Sequence, residues 1–515
     1  MYLTQSLHRA LQQKPDEVAT IFGDRVRTWG ESAARVARLS GALRALGVAE
    51  GDRVGMLSLN SDIFHEYMYA VWWSGAVINP VNTRWSPREM VYSLKECDTR
   101  ILLVDDTFAP VVAELRALWP RLTVVIHCGD GPTPEGMLAY EDLLAAHEPV
   151  DDLRLGGDRL AGLFYTGGTT GFPKGVMLSH DNLLSSACNS AVSVQGAIRG
   201  GRTMYGAPLF HLAALATWNG QNLVGGSHLI LPGFEAGAVL EMIAKHRPTS
   251  TLLVPTMIQS LVSHPGIASY DLSSLQRFTY GASPISETLL RRTLEAFPEA
   301  GFAQGYGMTE MAPGIATLPP EDHADPRLLR AAGRALANVD VRIVDPLDNE
   351  VPRGTVGEIV ARGDNMMLGY WNKPEETEAA LRGGWMHTGD AGYMDDKGYI
   401  FLVDRIKDMI VSGGENVYSA EVENAIADHP AVEYCAVIGV PDEAWGERVH
   451  AVIVLKPGAT ATAEEIRGHC KALIAGYKSP RSCEFVEDLP LSPAGKILKR
   501  DLRKPHWDRS ARSVG

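Results

Sequence analysis

The segment Tyr165–His180 does most to limit what this chain can fold into. It reads YTGGTTGFPKGVMLSH, with glycines at 167, 168, 171 and 175 and threonines at 166, 169 and 170. Glycines let backbone come up against a bound group without a side chain in the way. Successive amide N–H groups in such a turn form a concavity suited to an anion. The hydroxyls of Thr166, Thr169 and Thr170 add donors, and Lys174 adds a compact positive charge. The string lacks the Gly-Lys-Ser/Thr of a Walker A loop and the spacing of a Rossmann fingerprint. It reads as a phosphate-binding loop of another kind, with Gly167, Gly168 and Gly171 shaping its backbone.

Around that loop, helical and strand-like runs alternate. Residues 31–47 carry apolar side chains at helical spacing and stop at Gly47. GDRVGMLSL at 51–59 reads as a turn and a buried strand. This rhythm recurs to about residue 400 and implies layered α/β structure with mostly parallel, helix-packed sheets. The last hundred residues differ. Ser419 is placed to cap a helix through about Ala427, EYCAVIGV and HAVIVL read as short strands, and Thr462 with Glu465 forms a capping box. The expected architecture is a large N-terminal domain over 1–403, a hinge at 404–407 and a small, mobile α+β domain over 408–515.

Composition narrows the function classes. With 515 residues, 45% hydrophobic and 21% charged, the chain can bury large cores. Its net charge of −14 argues against nucleic-acid binding, which needs clustered Lys and Arg. No two of the six cysteines, at 97, 128, 188, 435, 470 and 483, make a CxxC pair, and free thiols fit a reducing cytoplasm. No signal peptide is visible at the N-terminus. The most apolar stretch, Tyr67–Val81, is broken by Ser74, Gly75, Asn79 and Pro80 and is too short to span a bilayer. There is no G-x-S-x-G elbow for serine hydrolase chemistry.

Five further strings follow the loop: YGASP at 280–284, GYGMTE at 305–310, HTGD at 387–390, DRIKDMIVSGGENV at 404–417 and PLSPAGKIL at 490–498. In this order, over essentially the whole chain, they resemble the motifs of the adenylate-forming (ANL) superfamily, in its acyl-CoA synthetase or fatty-acid–CoA ligase branch of AMP-binding enzymes. One position departs: Gly167 stands where the family usually has Ser, which removes one hydroxyl donor.

The resemblance implies the reaction and its cofactors: a carboxylate, ATP with Mg2+ and coenzyme A, giving acyl-AMP and then acyl-CoA. Glu310 resembles the magnesium ligand, and the Thr309 hydroxyl would contact the α-phosphate. Gly281, Ala282 and Ser283 resemble the adenine-side wall, with Gly305 and Gly307 nearby. Tyr306 either stacks on the base or sits in the core. Asp390 would accept from the ribose hydroxyls, and Arg405 would approach the ribose or phosphates. Lys496 resembles the C-terminal lysine that bridges carboxylate and α-phosphate, so that catalysis would rest on Lys496, Thr309, Glu310 and Lys174. Lys407 occupies the pivot of a domain rotation. Ser412, Gly413, Gly414 and Glu415 would line the pantetheine tunnel. His211, Leu212, Ala213, Tyr280, Gly305 and Met308 would line the acyl pocket, whose small Ala213 favours medium or long fatty acids first and aryl acids second. The resemblance also implies a homodimer and Lys496 as the target of a lysine acetyltransferase. An alternative acceptor is a carrier protein.

Overall fold

The computed structural model describes residues 1–166, 173–194, 196–283, 285–406, 408–412, 415–442, 444–491 and 497–510, with backbone only at 416 and 508–510. Two large sheets dominate. One runs in the order 334–335, 314–318, 301–307, 277–281, 250–253, 202–205, 227–230, 18–22, 25–28, and its six strands from 301–307 to 18–22 are parallel. The other runs 369–370, 174–179, 160–166, 77–80, 53–57, 101–104, 124–127, 138–139, parallel from 160–166 onward. A four-stranded antiparallel sheet, 339–344, 357–363, 386–394 and 400–405, follows.

Helices Trp29–Ala45, Asp62–Trp73, His180–Asn189 and Leu212–Leu223 fill the space between the large sheets. Their apolar side chains share one core with Val54, Met56 and Ile78 of one sheet and Tyr205, Ile230 and Ala316 of the other. Every residue of Asp62–Trp73 is buried, as a helix covered on all sides requires. Its two acids are neutralised from one side: Arg25 and Arg27 hold Asp62 at 2.9 and 3.0 Å, while Arg35 at 2.7 Å and the Tyr140 hydroxyl at 2.6 Å hold Glu66. Helices 236–246, 255–262 and 287–296 cover the outer face of one sheet, and 87–96 with 112–118 cover that of the other. The layers are therefore αβαβα.

Local chemistry moves several expected boundaries. The first long helix spans Trp29–Ala45 rather than 31–47, because Thr28 and Glu31 form a capping box that starts it earlier. The helix at Ser419 has Tyr418 in the cap position, and the Ser419 hydroxyl accepts from Lys499 at 2.6 Å instead. The two strands expected to be short form one long hairpin, Val432–Asp442 against Gly446–Leu455. A separate C-terminal sheet begins at Ile410, with its own core under helices Ser419–Ala427 and Ala463–Leu473. No helix among the described residues is long and apolar enough to cross a membrane.

Candidate active site

Strand Leu160–Thr166 turns back on strand Lys174–Ser179, with Thr166 opposite Lys174 as the last pair. The glycine- and threonine-rich loop thus closes a β-hairpin at the carboxyl end of a parallel strand, the edge where open α/β sheets bind ligands. Gly167, Gly168, Thr169, Thr170 and Gly171 lie outside the described residues. So do Lys407, Gly413, Gly414 and Lys496.

Segment 367–371 joins strand Lys174–Ser179 to the GYGMTE motif. The Met367 amide donates to the Glu310 carbonyl at 2.8 Å, and strand Gly369–Tyr370 pairs with Val176 and Met177. This sets the Tyr370 ring between two charges. Its hydroxyl donates to Glu310 Oε1 at 2.8 Å, and Lys174 Nζ lies 4.8 Å from its centre. Burial and the adjacent carboxylate push the Tyr370 pKa well up, so it remains a donor. Glu310 is buried, and its other oxygen has no hydrogen-bond partner among the described residues. Thr309 opens the short helical turn Thr309–Met311 and is half-buried.

A second cluster sits on the antiparallel sheet. Asp390 Oδ2 accepts from the Tyr306 hydroxyl at 2.8 Å, and Oδ1 lies 3.1 Å from Arg405 Nε. Arg405 is 52% exposed, whereas Tyr306 is buried in the main core. Burial, then the Asp390 charge, pushes the Tyr306 pKa well up and keeps its proton in place. The turn before Asp390 is braced by Thr388 Oγ1 on the Ile359 carbonyl at 2.7 Å and by Glu358, which accepts from the Gly389 amide at 3.0 Å. Tyr306 is thus a core residue whose hydroxyl orients Asp390. Tyr370, Tyr306 as a donor, and Glu358 escaped sequence reasoning, because each acts across 31 to 84 residues of chain with no local pattern.

Between these clusters the backbone is tightly set. A Cβ on Gly281 would meet the Gly305 carbonyl oxygen at 2.2 Å, and one on Gly307 would meet the Pro313 oxygen at 1.8 Å. Ala282 and Ala312 hold φ of +66° and +53°, left-handed values costing roughly 1 kcal/mol each, and strain of this kind gathers at functional sites. Ser283 is half-buried beside Ala282.

The expected acyl-pocket residues separate. His211 stands at the N-cap position of helix Leu212–Leu223 without a capping side-chain hydrogen bond, and its ring packs on Phe210 at 4.3 Å between centres. His211 and Ala213 are partly exposed, Leu212 is buried in the main core, and Met308 packs against that core. Gly305 has nothing within 4 Å of where its Cβ would be. Tyr280 points to the other face of its strand. Its ring lies in the outer core with Leu253, Phe278 and Phe302, and its hydroxyl bonds His323 Nε2 at 2.9 Å. Strand alternation turns the neighbouring Thr279 the opposite way, where its hydroxyl lies 3.1 Å from the Cβ position of Gly196. In the C-terminal sheet, Ser412 is buried and stands opposite Glu415, which is exposed.

The AMP-binding enzyme family matches residues 7–371, and the AMP-binding enzyme C-terminal domain matches 421–496. A feruloyl-CoA synthase from Amycolatopsis sp is 41% identical over 497 residues, covering 96% of this chain and 97% of that protein. A fatty acid–[acyl-carrier-protein] ligase, ScoC, from Streptomyces coeruleorubidus is 36% identical over 520 residues, covering 99% and 97%. The crystal structure of the anthranilate CoA ligase AuaEII in complex with anthranoyl-AMP superposes with a TM-score of 0.93 at 30% identity, covering 99% and 98%. The chain belongs to the AMP-binding enzyme family of the adenylate-forming superfamily, and with it to the AMP-forming acid–thiol ligases.

Proposed function

We propose that this acyl- or aryl-CoA ligase activates an aryl acid of the hydroxycinnamic type in preference to an alkyl acid, through an enzyme-held acyl-adenylate. The observation that carries the adenylation step is the placing of Glu310 and Lys174 on one tyrosine, beside the first residue of strand Lys174–Ser179. The substrate carboxylate attacks the α-phosphate and pyrophosphate leaves, so no protein nucleophile is required. The protein must align the reactants and stabilise charge. Lys174, Thr309 and the loop hydroxyls of Thr166, Thr169 and Thr170 do this at the phosphates, with Lys496 bridging carboxylate and α-phosphate. Glu310 fits a Mg2+ ion: it is a buried hard-oxygen donor with one oxygen fixed by Tyr370. When bound, the ion supplies positive charge to the phosphates.

Asp390 takes the ribose, and the exposed Arg405 is the partner that yields to it, because Tyr306 is locked in the core. Ala282 and its neighbours wall the adenine. Rotation about Lys407 brings Ser412–Glu415 to the site for thioester formation. Thr279, rather than Tyr280, lines the acyl slot together with His211, Ala213, Gly305 and Met308.

Composition of the slot alone ranks fatty acids first. The feruloyl-CoA synthase relative and the anthranilate ligase neighbour support the reverse order. The ScoC relative supports a carrier protein as a second acceptor. The test is AMP release with acetate, octanoate, palmitate, benzoate and ferulate, with and without CoA. The expected result is CoA-dependent turnover with kcat/KM for ferulate at least about tenfold above octanoate, a gap within reach of pocket contacts. Preference for octanoate or palmitate returns the substrate to alkyl acids. Stoichiometric acyl-AMP despite CoA moves the carrier protein ahead, and no AMP with any acid removes the reading.

A further inference from the structure

Among the described residues, one group of three metal-ligating side chains brings its ligand atoms within 4.8 Å of one another, and the reaction above does not use it: His450, Glu484 and His506. Three elements of the C-terminal region build it. Strand Gly446–Leu455 turns Val449, Ala451 and Ile453 into the core beneath its helices, so His450 faces the other way. On strand Ser482–Phe485, Ser482 stands beside His450 and Glu484 beside Val452, which places Glu484 one diagonal step away on the same face. Helix Lys499–Ser510 lies over this face, with Trp507 Nε1 donating to the Gly439 carbonyl at 3.2 Å. It sets the His506 ring 5.0 Å from that of His450.

The His450 side chain is only 7% exposed. Its Nδ1 meets Ser482 Oγ at 2.8 Å, while its buried Nε2 has no hydrogen-bond partner. Nε2 lies 3.6 Å from Glu484 Oε2, too long for a hydrogen bond. Buried polar atoms are seldom left orphaned. That spacing suits two ligands of one ion, since tetrahedral bonds of about 2.0–2.2 Å hold their donors roughly 3.4 Å apart.

We infer that His450, Glu484 and His506 form a binding site for one borderline divalent transition-metal ion of the Zn2+ class. Two imidazoles and a carboxylate suit Zn2+, Co2+ or Ni2+ and disfavour Mg2+, which takes oxygen ligands. Water completes the coordination. Ser482 holds the His450 ring through its far nitrogen, the usual arrangement behind a metal-bound histidine. The bound ion ties the last helix to two strands of the C-terminal sheet.

The test is titration of the tag-free, metal-stripped full chain with Co2+, read by its visible d–d bands, and with Zn2+, read by calorimetry. One ion per chain is expected, undisturbed by millimolar Mg2+. Glu484→Gln and His506→Gln should each weaken binding by at least about tenfold, and Ser482→Ala by about tenfold. Both ligand positions lie outside the buried core, so the variants should keep the wild-type circular dichroism. Absence of stoichiometric binding to the wild-type chain overturns the inference, as does equal Zn2+ affinity in the Glu484→Gln/His506→Gln double variant.

Discussion

Two tyrosines hold the two acids on which the proposed adenylation site rests. Tyr370 fixes Glu310 and Tyr306 fixes Asp390, each through a buried hydroxyl. A hydrogen bond to a charged group contributes about 1.5–3 kcal/mol, or roughly 10–100-fold in an equilibrium. Tyr370→Phe should leave the ring beneath Lys174 and lower the adenylation rate about tenfold, with a higher Mg2+ requirement, measured by pyrophosphate exchange across Mg2+ concentrations. An unchanged Mg2+ profile would show that Tyr370 does not position Glu310. Tyr306→Phe should instead raise KM for ATP and leave the Mg2+ profile as it was. The acids themselves were legible as members of compact motifs. The tyrosines were not, since a hydroxyl that acts 60 or 84 residues away leaves no spacing to read.

At the scale of elements, two glycines in adjacent strands have opposite tolerance. Gly281→Ala drives a methyl into the Gly305 carbonyl oxygen, and overpacking against backbone costs about 1–3 kcal/mol or more. Gly305→Ala meets open space. The expected outcome is a lowered melting temperature for the first and, for the second, wild-type stability with kcat/KM reduced more for the bulkier acids. The last helix makes a further case. Lys499 is half-buried and bonds Glu423 at 2.7 Å and Ser419 at 2.6 Å; desolvation opposes its charge, but Glu423 and Asp404 prevail and raise its pKa. Lys499→Met strands the Glu423 carboxylate and should cost about 3–5 kcal/mol. Adding Glu423→Leu should recover much of this, as read by urea midpoints. Element types were mostly visible in the sequence, because helical period and capping boxes are local. The side of the sheet that Tyr280 faces was not, since it depends on which layer covers each face.

The molecule as a whole carries an acid-sensitive interior. His65 and His180 lie in the inter-sheet layer, where burial lowers their pKa to about 3 and about 4, and burial also pushes His228 well down. A depressed folded pKa leaves stability intact above the unfolded value near 6.5, and stability falls as pH drops toward the folded value. Between pH 7 and pH 5 the loss should be about 2 kcal/mol for each of His65 and His180. Urea midpoints across that range check this, and His180→Gln should flatten the curve by its share. The layered α/β class could be read from alternating periodicities. The number of sheets and their strand order could not, because both are set by pairings between distant segments.

One such pairing sets a clock for synthesis. Strand Val18–Phe22 finds its parallel partner in Ser227–Ile230, while the strands of the other large sheet are drawn largely from the intervening chain. At about 5–20 residues per second, the first strand leaves the ribosome some 10–40 s before its neighbour exists. During that interval the hairpin strand Arg25–Thr28 covers one edge of it, and the edge that will meet Ser227–Ile230 stands open. A fragment ending near residue 166 would make that wait permanent. The nascent chain therefore depends on shielding of its first thirty residues, and the speed of translation, as much as the sequence, sets how long that shielding must last.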